Sequence, residues 1–244
     1  MQPWLASALA CLPLGCRVRS VADFYEDVFR SVPVRHVSAV WLLARGWDSS
    51  DHVREASKRL SDVGLALLLL LAGAPLVALV ALVQRVVDPG PTFYVQTRVG
   101  RYGRPFRMLK LRTMRVDAEA AGPLWAAPDD PRRTRLGALL RRTRLDELPQ
   151  VVNILRGEMS FVGPRPERPE FVADLERAVP FYSWRHLVRP GLTGWAQINY
   201  PYGASLEDAE RKLEFDLYYL RHVSLWTDAA IVLRTASEAL RGGR

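Results

Sequence analysis

A chain of 244 residues with 49% hydrophobic content has room for one sizeable domain or two small ones and enough apolar material for a core, which excludes global disorder. Its 2 cysteines, Cys11 and Cys16, are too few to staple a secreted fold and lack the partners that a metal site needs. The net charge of +8 is concentrated: between Arg98 and Arg144 stand 13 basic residues against 4 acidic ones, and the rest of the chain is close to neutral. Such a block serves nucleic acid, an anionic bilayer surface or a phosphorylated substrate, or is an ordinary solvated face.

Residues 1 to 50 read as the remnant of an upstream domain or linker. The opening MQPWLASALACLPLGC has no Lys or Arg ahead of its apolar stretch and makes a poor signal peptide. DFYEDVFRSVPV predicts a short amphipathic helix ended by Pro33, and VSAVWLLARG a second apolar patch.

From Val63 to Val83 the chain runs 21 residues without a charge or a strongly polar side chain. As a straight helix that is about 31 Å, enough to cross the hydrocarbon core. Pro75, with Gly73 two residues earlier, opposes a straight helix because it removes a backbone hydrogen bond and clashes with the preceding turn. Two membrane readings follow: a kinked span, or a segment that enters, breaks at Pro75 and leaves by the same face. Arg54, Lys58 and Arg59 before the segment and Arg85 after it put positive charge at both ends, which suits a hairpin held on one leaflet. A third reading, a buried helix of a soluble core, is weaker, because a 21-residue helix apolar on every side is unusual in a protein this small.

After the Asp88-Pro-Gly-Pro91 turn, TFYVQ predicts a short strand and the alternation from Phe106 to Met114 a second. Helical patterns follow at 136 to 142, 146 to 156, 167 to 178, 205 to 221 and 224 to 240. The fold class is therefore mostly α with a minor β element, in a membrane-attached domain. Adjacent carboxylates at Asp146-Glu147, close behind Arg141, Arg142 and Arg144, read either as helix capping, with Pro149 in the first turn, or as a nucleophile or metal ligand among cations that attract a phosphorylated substrate. Gly163-Pro164-Arg165-Pro166 is a stiff turn that fixes one guanidinium, suited to gripping phosphate, although a purely structural turn is the commoner use of such a loop. Arg189-Pro-Gly-Leu-Thr-Gly194 carries two glycines that let backbone approach a ligand. The four histidines, His36, His52, His186 and His222, have no ligand spacing.

Taken in order, Lys58-Arg59-x-x-Asp62, Lys110-x-Arg112-Thr113-Met114, LDELPQ at Leu145 to Gln150, NILRGEMSFVGPRP at Asn153 to Pro166, RPGLTGWAQIN at Arg189 to Asn199 and KLEFDLYYLRHVSLWTD at Lys212 to Asp228 resemble the bacterial sugar transferase family, the monotopic phosphoglycosyl transferases. The resemblance implies transfer of a sugar 1-phosphate from a UDP-sugar to polyprenol (undecaprenyl) phosphate with release of UMP, dependent on Mg2+. It implies Asp146 as the nucleophile that carries a phosphosugar intermediate, Glu147 as its partner, both as metal ligands, and Arg165 as the residue that engages the nucleotide-sugar phosphates. Lys110, Arg112, Arg141 and Arg189 are the other expected substrate-binding residues.

The same resemblance implies a re-entrant helix broken at Pro75 within an amphipathic lead-in and membrane segment at 51–87, and a catalytic domain at 88–244 on the cytoplasmic face of a bacterial inner membrane. It allows a homodimer and gives no role to nucleic acid. Where members of that family carry a Ser-Pro pair at the helix break, this chain has Ala74-Pro75. Residues 17 to 50 are similar to the segment ahead of the catalytic part in the longer, exopolysaccharide-priming members, which favours a hexose donor. The rival reading is a catalytically silent membrane-surface protein of polysaccharide assembly, against which the intact Asp146-Glu147 pair and Arg165 argue.

Overall fold

The computed structural model describes residues 10–15, 19–44, 52–120, 122, 130–201, 203 and 205–240. The opening of the chain through Leu9, Cys16 and the end of the VSAVWLLARG patch lie outside them. Alternating exposure along Phe93–Val99 (β1) builds a hairpin with Pro105–Leu111 (β2), antiparallel, with Tyr94 opposite Lys110 and Gln96 opposite Met108. The second strand ends at Leu111 rather than Met114. Arg112 turns its guanidinium back to the Asp88–Pro91 turn, and the Thr113 carbonyl accepts from the Thr134 amide.

The helices expected near 136, 167, 205 and 224 form as Arg135–Arg142, Pro169–Ala178, Leu206–Arg221 and Leu225–Leu240. Their starts are written in the sequence: Thr134 caps the first through the Gly137 amide, and Ser205 with Asp208 makes a capping box on the third. The single helix expected at 146 to 156 is instead a 3₁₀ turn, Leu145–Gln150, followed by a short α-helix, Val151–Arg156. Pro149 has no N–H to give an α-helical ladder and restrains Leu148 before it, which holds this stretch to the tighter turn.

In chain order the α-helices are α1 (Val21–Phe29), α2 (Ala39–Ala44), α3 (His52–Val87), α4 (Arg135–Arg142), α5 (Val151–Arg156), α6 (Pro169–Ala178), α7 (Trp195–Asn199), α8 (Leu206–Arg221) and α9 (Leu225–Leu240). Two three-residue strands that periodicity does not reveal, β3 (Ser160–Val162) and β4 (Gly191–Thr193), pair in parallel. β3 leads directly into the Gly-Pro-Arg-Pro turn and β4 lies within Arg-Pro-Gly-Leu-Thr-Gly, so the two loops are brought side by side. A Cβ on Gly163 would lie 2.3 Å from the Arg189 carbonyl, and one on Gly191 2.2 Å from the Gly163 amide. These glycines serve the approach of one loop to the other rather than of backbone to a ligand.

The core gathers Val99, Met108, Ile154, Phe161, Leu175, Leu213, Leu217 and Ile231. Val32 and Val34 are buried in the same core, the Val32 amide donates to the Glu214 carbonyl, and Arg35 forks onto Glu210. Part of the segment read as an upstream remnant is thus packed into the domain that follows it.

Helix α3 runs 36 residues with Pro75 inside it, and the chain is helical on both sides of the proline. Its buried residues, Asp62, Ala66, Gly73 and Gln84, fall within about 40° of one another at 100° per residue, a single stripe. Leu60, Leu67, Leu68, Leu71, Leu79, Leu82 and Val86 remain exposed, and only 6% of its most apolar window is buried, which is not how a core helix packs. The stripe is fastened at three levels. At the first, Arg59 donates to the Ile154 and Leu155 carbonyls at 2.5 and 2.7 Å, Lys58 reaches Val162, Tyr219 and Asp228, and Asp62 accepts from Ser160 and the Phe161 amide. Midway, Gly73 leaves room for Leu148, whose Cδ2 would be 2.7 Å from a Cβ there. At the far end Gln84 donates to the Arg112 carbonyl at 2.7 Å.

Candidate active site

Asn153 sets the site's geometry. Fully buried, it accepts from the Leu109 amide at 3.0 Å and donates to the Arg107 carbonyl at 2.8 Å, which pins β2 against α5. Lys110 is thereby held beside the 3₁₀ turn, and its ammonium stands 3.4 Å from the Glu147 carboxylate. The same Glu147 oxygen accepts from Arg165 at 2.8 Å. Asp146 is buried, 7% exposed, and does no capping: the turn is preceded by Arg144 in the left-handed conformation, with no side-chain cap bond.

The two carboxyls are driven apart. Burial, and then the neighbouring Glu147 charge, push Asp146 up to about 6 against the pull of Lys110, Arg141 and Arg165. Burial also acts upward on Glu147, but Arg165 and Lys110 outweigh it and hold that carboxyl at about 2. Glu147 is therefore a permanent anion clamped by two cations, while Asp146 is the carboxylate with capacity to spare.

Arg165 is held by its backbone. The Gly191 amide donates to the Pro164 carbonyl at 2.9 Å, the buried Arg185 to the Arg165 carbonyl at 3.0 Å, and Arg98 to the Pro166 carbonyl at 3.0 Å. Arg185 is in turn gripped by Asp216 at 2.8 and 3.0 Å and bonds the Tyr182 hydroxyl at 2.6 Å. Arg98, Lys110, Gln150 and Arg165, with Met108 and Pro166, line a cavity of about 10 Å³ beside the pair. A larger cavity of about 430 Å³, lined by Glu26, Asp27, Arg30, Tyr218, Arg221 and His222, shares no residue with this site.

Of the cations expected here, the structure brings Lys110 and Arg165 to Glu147, and Arg141, bonded to Thr113 at 2.9 Å, acts on Asp146 through its charge. Arg112 and Arg189 are elsewhere. Arg112 is 5% exposed and spends its guanidinium on Asp88 and the Pro91 carbonyl, and Arg189 bonds the Gly157 carbonyl and pairs with Glu55 at 3.3 Å. Both fasten the loops and the long helix together. Sequence reading missed Arg98, Gln150 and Arg185. For Arg185 there was a signal: Asp216 interrupts the apolar stripe of Leu213, Leu217 and Leu220 on α8, and a carboxylate on a buried face requires a cation.

No group of three His, Cys, Asp or Glu side chains that could hold a metal is found among the described residues. The pair itself fits Mg2+, which is commonly bound through one or two carboxylates plus substrate phosphates and water. The upward push of Glu147 on Asp146 is a repulsion that a divalent cation relieves.

The site is thus a carboxylate pair, Asp146 buried and Glu147 largely so, under converging cations and next to a long apolar helix. The model of the family described as bacterial sugar transferase matches residues 53–242. Over 224 residues, 86% of this chain and 53% of the relative, the chain is 38% identical to the UDP-N-acetylgalactosamine-undecaprenyl-phosphate N-acetylgalactosaminephosphotransferase of Aeromonas hydrophila. It is 43% identical over 185 residues, 75% of this chain and 40% of the relative, to the UDP-glucose:undecaprenyl-phosphate glucose-1-phosphate transferase of Escherichia coli K12. With the exopolysaccharide production protein PSS of Rhizobium leguminosarum bv. phaseoli it shares 40% identity over 192 residues, 76% of this chain and 96% of the relative. The chain spans about half the length of the first two and nearly all of the third. It belongs to the bacterial sugar transferase family.

Proposed function

We propose that the protein transfers a sugar 1-phosphate from a UDP-sugar to undecaprenyl phosphate, releasing UMP, through a covalent phosphosugar intermediate on Asp146. The observation that carries this reading is the split pair: Asp146 buried beside a permanently ionised Glu147 that holds Arg165 and Lys110 in place. The Asp146 carboxylate attacks the sugar-bearing phosphorus, a P–O bond forms, and the bond to UMP breaks with its electron pair leaving on the UMP oxygen. Arg165 and Lys110 face the charge that builds on the phosphoryl group. An oxygen of the lipid phosphate then attacks the acyl phosphate and frees Asp146. One phosphoanhydride replaces another, so no outside energy source is needed. Mg2+, held by Asp146 and Glu147, would neutralise diphosphate charge and ease the departure of UMP.

The reaction joins a soluble donor to a lipid, and the fastening of α3 supports a re-entrant attachment. Both flanks of the apolar segment bind the same domain, Arg59 at one end and Gln84 at the other, which a simple crossing would place on opposite sides. Leu148, two residues beyond Asp146, rests on Gly73 midway along that segment, so the nucleophile sits against the membrane element. Because the reaction draws on cytoplasmic UDP-sugar, this reading assigns the site to the cytoplasmic face of the inner membrane. The test is UMP release by detergent-solubilised protein with Mg2+, undecaprenyl phosphate and a panel of UDP-sugars. Release that requires the lipid phosphate and is abolished by Asp146→Asn is expected; release unaffected by that substitution overturns the assignment.

A further inference from the structure

We infer that Gln150, with Lys110, forms a pocket for one non-bridging oxygen of the phosphoryl group in transfer, which makes Gln150 a catalytic residue of the site. The inference deepens the proposed reaction and rests on it. Gln150 is 2% exposed, lines the cavity of about 10 Å³, and its amide nitrogen has no hydrogen-bond partner among the described residues. A buried N–H without an acceptor is uncommon in a folded protein because it has lost water and gained nothing in return.

The other polar side chains that line the cavity, Arg98, Lys110 and Arg165, have only donors to offer, and Met108 and Pro166 are apolar there. The Pro166 carbonyl accepts from Arg98. A cavity furnished with donors accepts an oxygen, and preferably one with negative charge. About 10 Å³ admits a single oxygen atom and not a whole phosphate.

Its place in the site decides which oxygen. Lys110 and Arg165, the two cations that hold Glu147, also line the cavity, so it lies one hydrogen bond from the pair. Gln150 follows Glu147 by three residues in a 3₁₀ turn, a spacing that puts both on one side of the turn. As Asp146 attacks and UMP departs, charge spreads over the three equatorial oxygens of the phosphoryl group, and one of them seated among these donors is stabilised as it gains charge. That oxygen keeps its bond to phosphorus throughout.

The experiment compares the wild-type protein with Gln150→Ala, Gln150→Asn and Gln150→Glu, using a UDP-sugar in which sulfur replaces either non-bridging oxygen of the sugar-bearing phosphorus. Sulfur is too large for a one-oxygen pocket, so wild-type protein turns over one diastereomer more slowly than the other by on the order of 10-fold, and Gln150→Ala, with a wider pocket, narrows that ratio to about 3-fold or less. On the natural donor, kcat falls on the order of 100-fold in Gln150→Ala, less in Gln150→Asn and more in Gln150→Glu, with KM nearly unchanged. Thermal melting of each variant reports folding, and Gln150→Asn, which keeps the amide, carries the test where Gln150→Ala does not fold. A diastereomer ratio equal in wild type and variants, or an unaltered kcat, means that the cavity holds a structural water only and overturns the inference while the transfer reaction stands. Wild-type protein that releases no UMP from any UDP-sugar overturns the reaction itself.

Discussion

Replacing Arg185 with methionine separates the structural from the positioning role of a residue that never meets the substrate. The guanidinium holds Asp216 at 2.8 and 3.0 Å, the Tyr182 hydroxyl at 2.6 Å and the Arg165 carbonyl at 3.0 Å, and Arg185 and Asp216 are 5% and 1% exposed. Removing one partner of such a pair leaves a buried charge uncompensated and costs about 3–5 kcal/mol. At about 2–4 °C per kcal/mol for a chain of this size, Arg185→Met lowers Tm by about 6–20 °C. Burial already pushes Asp216 up to about 6, above its unfolded value, so its cost is borne at pH above that range and relieved as pH falls through it. The loss of Tm is accordingly smaller at pH 5 than at pH 8. The double variant Arg185→Met/Asp216→Leu removes both charges and recovers most of the stability. It does not restore the donor to the Arg165 carbonyl, so UMP release stays reduced by about 10- to 100-fold, the order expected of a misplaced clamp. Melting curves and turnover of the single and double variants decide the matter: a double variant that regains activity together with stability refutes the positioning role.

Arg112→Ala lowers stability by about 2–4 kcal/mol through its lost bonds to Asp88 and Pro91, yet leaves the KM for UDP-sugar within about 3-fold of wild type, while Arg165→Ala lowers kcat/KM by about 10²- to 10³-fold with little change in Tm. Gly163→Ala drives a Cβ to 2.3 Å from the Arg189 carbonyl, a backbone atom that cannot swing aside, and destabilises by about 1–3 kcal/mol or more in thermal or chemical melts. Burial and the neighbouring Arg185 hold the His186 imidazole down at about 4, and Glu176, 4.0 Å away and half exposed, does not offset them. As pH falls from 7 to 5 the unfolded chain takes up a proton that the folded chain refuses, so the wild type loses about 2 kcal/mol that His186→Gln does not lose, read as the difference between their pH-stability curves.

The hairpin and the long helices were legible because alternation and 3.6-residue periodicity persist over seven residues or more in β1, β2, α8 and α9. The three-residue pairing of β3 with β4 has no period to read, and it shows only when Gly163 and Gly191 are seen to exclude each other's side chains. At the site, the adjacency of Asp146 and Glu147 and the stiffness around Arg165 are written locally. Where an arginine delivers its charge is not. Arg112 and Arg189 look like Arg165 in composition, but the first closes a turn with Asp88 and the second meets Glu55 on α3, both through contacts distant in sequence. Gln150 was silent for the opposite reason: its meaning lies in a partner that it lacks.

The proposed reaction requires that Asp146 be covalently phosphorylated by the donor. Intact-protein mass spectrometry of the enzyme quenched after mixing with Mg2+ and a UDP-sugar, with the lipid acceptor left out, tests it directly. An added mass of one sugar phosphate is expected, located on Asp146, absent from Asp146→Asn and discharged when undecaprenyl phosphate is supplied. Steady turnover in the presence of lipid, with no adduct in its absence, would contradict it and point to direct transfer between the two substrates.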